Sequence, residues 1–384
     1  MCSHRDSGAN GGESCESSRN MNARRIVRLS HPFPMRLGGT LSGVEIAYET
    51  WGELNAARDN GVLIFTGLSP SAHAASSRED PAPGWWEDMV GPGRPIDSNR
   101  WFIICVNSLG SCFGSTGPAS VNSEAGRPYR LTFPVLTIED IARGGYEAIR
   151  SLGLEALTAV VGPSLGGMSA HAFCAMFPGV ARHLVSISAA ARSTPFAIAL
   201  RSLQRELIRR DPAWSGGDYA PGAGPIIGMR LARKLGMITY RSAQEWQVRF
   251  GRERAGHEHK SGDPFGIEFE VEGYLEAHAK KFVGQFDANC YLYISRAADL
   301  FDLAEHGGSL PSALRHSALR GALVIGVETD LLFPLWNQRE IAESLSQVGV
   351  ETQFKVLLSI QGHDSFLVDM ERFRPAIGDY FAEL

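Results

Sequence analysis

The sequence predicts an α/β fold, a mostly parallel sheet with helices on both faces and a helical lid insertion late in the chain. Three observations lead there. Short runs rich in Val, Ile and Phe alternate with amphipathic helical stretches. Most of these runs are continuously apolar, which suits strands covered on both faces. Between about residues 193 and 318 the alternation stops, and it resumes near residue 320.

The elements follow in order. Val44 to Thr50 alternates apolar and polar residues, while VLIFTGL (62–68) and WFIICV (101–106) are continuous. Thr137-Ile-Glu-Asp140 resembles a capping box and opens a helix to about Arg150, with Ile138, Ile141, Ala142 and Ile149 near one face. LTAVV (157–161), His183 to Ile187, ALVIGV (322–327) and TQFKVLL (352–358) supply later strands, and a last helix is expected from Ser365 to Leu384. The insertion reads as helices joined by Gly/Pro loops such as GGDYAPGAGP (216–225). The expected organisation is a disordered tail over 1–22, a first core segment over 23–192, a helical lid over 193–318 and a second core segment over 319–384.

Composition narrows the function. A chain of 384 residues, at roughly 100–200 residues per domain, allows two domains or one large domain with an insertion. Its net charge of −5 argues against general nucleic-acid or membrane-surface binding. No apolar run approaches the ~18 residues a membrane span needs. The first 22 residues, rich in Ser, Gly, Asn and charge, lack the apolar stretch of a secretory signal, and Met21 is an alternative start. The six cysteines form no CxxC pair and read as reduced thiols, so a cytoplasmic location is expected. No His pair has HExxH spacing, so no metal is expected.

Gly162-Pro-Ser164-Leu-Gly166 is a G-x-S-x-G pentapeptide that follows LTAVV and opens the apolar helix LGGMSAHAFCAMF. That strand–turn–helix context is what a nucleophile elbow requires. It would hold Ser164 at the strand's carboxyl end, with the Leu165 N–H at the helix start as an oxyanion donor. A serine hydroxyl needs a base, and the base an orienting acid. After the insertion, ALVIGV runs into Glu328-Thr-Asp330, and TQFKVLL leads to Gln361-Gly-His363. Asp330 and His363 are therefore the expected acid and base, with Glu328 the alternative acid and His73 the alternative histidine. His171 is expected to pack on the elbow helix, and His257 and His259 to sit solvated in a polar loop. The loop Thr66 to His73 follows an early strand, so the Leu68 N–H is the expected second oxyanion donor and Gly67, Leu68, Ser69, Pro70, Ser71 and Ala72 an acceptor-selecting loop.

At this point the chain resembles the homoserine/serine O-acyltransferases of the α/β-hydrolase superfamily. The resemblance covers nearly everything after residue 30. It rests on YETWGELN (48–55), GLSPSAHA (67–74), GWWEDMVGPGRPID (84–97), NSLGSCFGSTGPAS (107–120), GPSLGGM (162–168), GMRLARKLGMITYRS (228–242), DPFGIEFEVEGYLEAHAKKF (263–282), ETDLLFP (328–334) and QGHDSFL (361–367). GLSPSAHA together with SLQRELIRRDPAW (202–214) is most similar to the branch that transfers succinyl to L-serine for cysteine synthesis. Sister branches acylate L-homoserine for methionine synthesis, with succinyl or acetyl.

The resemblance implies a ping-pong transfer from succinyl-CoA to L-serine through an ester on Ser164. Acyl-CoA is then a substrate, and no cofactor is implied. An esterase or thioesterase on the same three residues is the further alternative, and a non-catalytic binding protein the last. Arg233 matches the family's carboxylate-binding Arg, with Arg230 its neighbour, and Asp364 the acid that holds the substrate's ammonium; an N-cap for the final helix is its other reading, and both roles could coexist. Arg201 matches the position tied to succinyl specificity; a buried Arg left unpaired would make acetyl a poor fit. Residues 201–260 carry twelve Lys/Arg against six Asp/Glu, which fits a lid that attracts polyanionic CoA or simply a solvated basic face. The family usually forms homodimers through the insertion.

Overall fold

Side chains alternate across a strand, so a strand that is apolar at every position must be covered on both sides. The computed structural model, which describes residues 23–256 and 263–384, shows this arrangement. Eight strands form one sheet: β1 (Arg25–Arg28), β2 (Glu45–Trp51), β3 (Gly61–Phe65), β4 (Phe102–Val106), β5 (Leu157–Pro163), β6 (Ala181–Ile187), β7 (Gly321–Val327) and β8 (Glu351–Leu357). Their spatial order is β1-β2-β4-β3-β5-β6-β7-β8. β2 runs antiparallel to both of its neighbours, β1 and β4, and the remaining pairs are parallel.

On β5, Leu157 and Val160 join one core, and Ala159 and Val161 the other. The first core also holds α1 (Ile138–Ser151), α2 (Leu165–Met176) and, past the insertion, α9 (Leu335–Gln347). The second holds Trp86, Met89 and Trp101 with α11 (Met370–Glu383). At α1 the capping box forms as the sequence indicates, with Thr137 accepting from the Asp140 N–H and Asp140 from the Thr137 N–H. Ile138, Ile141, Ala142 and Ile149 are all buried on that helix.

Between β6 and β7 the chain is helical: α3 (Pro195–Arg210), α4 (Ile226–Tyr240), α5 (Ala243–Phe250), α6 (Glu270–Phe282), α7 (Ala288–Leu300) and α8 (Leu310–His316). Among the described residues, no helix is long and apolar enough to cross a membrane. Cys105, Cys112, Cys174 and Cys290 are free thiols. The expected tail over 1–22 and the histidines His257 and His259 lie outside the described residues.

Two expectations need correcting. The final helix is not continuous from Ser365: α10 (Ser365–Val368) stops at Asp369, whose φ of −96° and ψ of 62° are not helical, and α11 begins after it. The early run does not stay in the sheet to Leu68, because β3 ends at Phe65 and the chain leaves the sheet there.

The elbow depends on close backbone approach at two glycines. A Cβ on Gly162 would lie 2.1 Å from the Gly166 carbonyl oxygen, and one on Gly166 would lie 2.3 Å from the Phe65 carbonyl oxygen. Both obstacles are backbone and cannot swing aside. Gly166→Ala is therefore expected to cost about 2 kcal/mol or more, read as a lower denaturant midpoint at an unchanged slope.

Candidate active site

Ser164 sits where β5 turns into α2, with φ of 57° and ψ of −125°. A non-glycine residue in that region is strained, by about 1–3 kcal/mol, and persists only where its surroundings enforce it. Here the Ser164 N–H donates to the Ile187 carbonyl at 2.8 Å, tying the turn to the end of β6. Leu165 opens α2, so its N–H has no acceptor within the helix.

Asp330 follows the end of β7 and is 4% exposed. One of its oxygens accepts the N–H groups of Leu332 (2.9 Å) and Phe333 (2.8 Å). The other lies 2.7 Å from His363 Nδ1. The opposite ring nitrogen, Nε2, lies 2.8 Å from Ser164 Oγ. With Nδ1–H donating to the carboxylate, Nε2 is left to accept the serine proton. The ring is fixed between Phe333, stacked at 4.9 Å, and Phe366, edge-on at 5.6 Å. Burial alone would depress the His363 pKa; the charge and hydrogen bond of Asp330 outweigh it and raise the value above that of free imidazole. Glu328, the alternative acid, is exposed.

Two other histidines, His171 and His73, are engaged elsewhere. His171 is fully buried on α2, its Nε2 2.9 Å from Ser186 Oγ, and burial pushes its pKa down to about 4. His73 is held by Glu49 and the Ala82 carbonyl, away from Ser164.

A cavity of about 140 Å³ opens over Ser164 and His363. Gly67, Leu68, Ser69 and Pro70 line it together with Ser164. Ser71 and Ala72 do not reach it; Ala72 is buried, and the Ser71 carbonyl accepts the Trp85 indole N–H. The cavity-lining part of the loop is thus Gly67 to Pro70.

Arg233 lines the cavity with its guanidinium 4.6 Å from the centre of the Phe282 ring. Its Nε is buried without a hydrogen-bond partner among the described residues. Arg230 instead pairs with Glu276 at 3.1 Å, which separates the two candidates. Asp364 also lines the cavity and meets Arg241 Nε at 3.4 Å. Burial raises its pKa, Arg241 opposing. It makes no side-chain cap on α10, so the capping role is excluded.

Arg201 is buried and lines the cavity, but it is not unpaired. Its Nε donates to Asp299 Oδ1 and an Nη2–H to Ser193 Oγ, both at 2.6 Å. The other Asp299 oxygen accepts from Arg205, also at 2.6 Å. The expectation of a stranded cation is corrected: Asp299, 98 residues away in sequence, compensates it whether or not a ligand is present. Sequence reasoning also missed Tyr240 and Trp85, which line the same cavity. Tyr240 lies seven residues after Arg233 on α4, two turns along one face, and that spacing was a usable signal.

A helix-flanked, mostly parallel sheet carrying a serine elbow, with acid and base on later loops, defines the α/β-hydrolase class. The family model for the alpha/beta hydrolase fold matches residues 62–369. A serine O-succinyltransferase of Litchfieldella anticariensis is 59% identical over 94% of this chain and 98% of its own. An L-serine/homoserine O-acetyltransferase of Streptomyces lavendulae is 55% identical over 94% of this chain and 97% of its own. Among solved structures, a homoserine O-acetyltransferase from Bacillus anthracis superposes with a TM-score of 0.85 at 28% identity, covering 93% of this chain and 96% of that one. The chain belongs to the homoserine/serine O-acyltransferase family.

A neutral His363 is the form able to take a proton, so kcat/KM should fall as pH drops through its raised pKa. Asp330→Asn removes the cause of that elevation and favours the wrong tautomer. The acid limb should move to lower pH while kcat falls roughly 10⁴-fold, measured as rate against pH on a chromogenic ester, with circular dichroism confirming the fold.

Proposed function

We propose that this protein transfers a succinyl group from succinyl-CoA to the side-chain hydroxyl of L-serine, through an ester on Ser164. The observation that carries the proposal is the unbroken Ser164–His363–Asp330 relay, opening into a cavity lined by Arg233, whose Nε has no hydrogen-bond partner among the described residues. A hydrolase acting on neutral esters has no use for a cation there; an amino-acid acceptor brings a carboxylate to meet it.

The steps follow from the contacts. Ser164 Oγ attacks the thioester carbonyl as its proton passes to His363 Nε2. The Leu68 and Leu165 N–H groups hold the oxyanion. Collapse breaks the C–S bond, and the CoA sulfur leaves with the proton from His363. The acceptor's hydroxyl then gives its proton to the same nitrogen and attacks the Ser164 ester; collapse releases the O-acyl amino acid and returns the proton to Ser164 Oγ. Arg233 holds the acceptor's carboxylate, and Asp364 its ammonium. The Arg201–Asp299–Arg205 cluster keeps one net positive charge, and the donors of Arg201 left over from Asp299 and Ser193 are available to the distal carboxylate of succinyl.

The relative from Streptomyces supports a second reading, acetyl transfer to serine or homoserine. The two acceptors differ by one methylene, worth only about 1–3 kcal/mol in a pocket. Ile226, Ile227, Leu231 and Ile238 expose apolar surface on α4, which supports a homodimer through the insertion.

The test offers succinyl-CoA and acetyl-CoA against L-serine and L-homoserine, following thiol release and the ester product. Succinyl-CoA with L-serine should be fastest; release without ester would mean water is the acceptor. In Arg201→Ala, Asp299 still holds Arg205, so the carboxylate is not stranded. Succinyl transfer should fall at least tenfold further than acetyl transfer, given the loss of about 1.4 kcal/mol or more of charge-assisted contact. Equal losses would remove Arg201 from acyl selection.

A further inference from the structure

Behind the cavity-lining loop lies a second histidine, His73, that the relay does not use. Both ring nitrogens of His73 face oxygen acceptors: Nδ1 is 2.8 Å from Glu49 Oε2, and Nε2 is 2.8 Å from the Ala82 carbonyl. A neutral imidazole has one N–H and can donate once. Two acceptors demand two donors, so the ring is an imidazolium. The charged groups that face it are Glu49, 3% exposed on β2, and Asp80, 3.9 Å away in the loop that also presents Ala82. The thiol of Cys105 lies across the strand pair from Glu49 and is kept neutral by burial. The hydrogen bond to Glu49 pushes the His73 pKa up to about 9, against the opposing effect of burial.

This residue is wired to the cavity wall. The His73 carbonyl accepts the Trp85 backbone N–H at 3.2 Å, and the neighbouring Ser71 carbonyl accepts the Trp85 indole N–H at 3.1 Å. Trp85 lines the cavity with Ser69 and Pro70. The near half of the loop has its own support: only Thr66 separates Gly67 and Leu68 from the end of β3, and Asn107 Nδ2 donates to the Pro70 carbonyl at 3.3 Å.

We infer that His73, held as a cation between Glu49 and the Ala82 carbonyl, is a positioning residue for the amino-acid acceptor, acting through Trp85 and the far half of the loop that ends at Ala72. Its loss loosens that wall and leaves the Leu68 N–H, on the strand side, in place. Acylation of Ser164 is therefore spared and acceptor binding is not. The inference rests on the acyl-transfer reading above.

The experiment uses the full chain and separates the half-reactions. Rapid mixing with succinyl-CoA alone reads the burst of thiol release; steady-state transfer reads the KM for L-serine from pH 6.5 to 10. In the unaltered protein KM should rise as pH passes about 9. Glu49→Gln, isosteric with the native side chain, should bring that rise toward pH 7 and lift KM about tenfold at pH 8, with the burst rate within threefold. The amine of serine titrates identically with both enzymes, so the displacement belongs to His73. His73→Gln should raise KM at every pH and abolish the displaceable rise; where that variant fails to fold, Glu49→Gln carries the test. A rise unmoved by Glu49→Gln, or a burst that falls in step with transfer, overturns the inference. A burst from the unaltered protein with no ester formed on serine overturns the acyl-transfer reading and takes this inference with it.

Discussion

The carboxylate of Asp330 is the point on which the site turns. It is enclosed, and three N–H groups meet its two oxygens, two from the turn that follows it and one from His363. A carboxylate so placed decides both the orientation and the tautomer of the imidazole. The serine on the other side contributes strain of its own, a backbone held at positive φ by the neighbouring strand and by two glycines that let helix and strand touch. Neither feature works alone. Without the carboxylate the imidazole would rotate or carry the wrong proton; without the elbow the hydroxyl would not reach it.

Charge in the cavity is arranged by pairing. Arg201 is neutralised from behind by Asp299, Asp364 is met by Arg241, and Arg230 is drawn off to Glu276. Arg233 Nε has no hydrogen-bond partner among the described residues, and the guanidinium lies against the Phe282 and Tyr240 rings. Guanidinium is the cation most tolerant of that setting, being weakly hydrated and able to lie against a ring.

Much of this was legible in the sequence, for identifiable reasons. The strands were visible because burial on both faces leaves no polar residue to interrupt the run, and the serine because its elbow is local and needs glycines at fixed offsets. Asp330 and His363 could be named because each follows a strand in the order the sheet requires. Asp299 could not, since nothing on a helix 98 residues away marks it as the partner of Arg201. The four-residue strand at the edge escaped because it buries only Val27. The helix break at Asp369 and the turning away of Ser71 and Ala72 are set by tertiary packing, which single-residue propensity does not encode.

The insertion has a consequence for how the chain is made. Strands β6 and β7 are neighbours in register, with Leu184 opposite Ala322 and Ile187 opposite Ile325, yet every residue of the insertion is synthesised between them. Until the ribosome has emitted that whole stretch, β6 has an open edge of unpaired backbone at the middle of the future sheet. Exposed edges of this kind invite wrong partners, and pairings so distant along the chain close slowly. The vulnerable period in the life of this protein is therefore its birth, when a half-built sheet must be shielded from its neighbours until the carboxyl-terminal strands arrive.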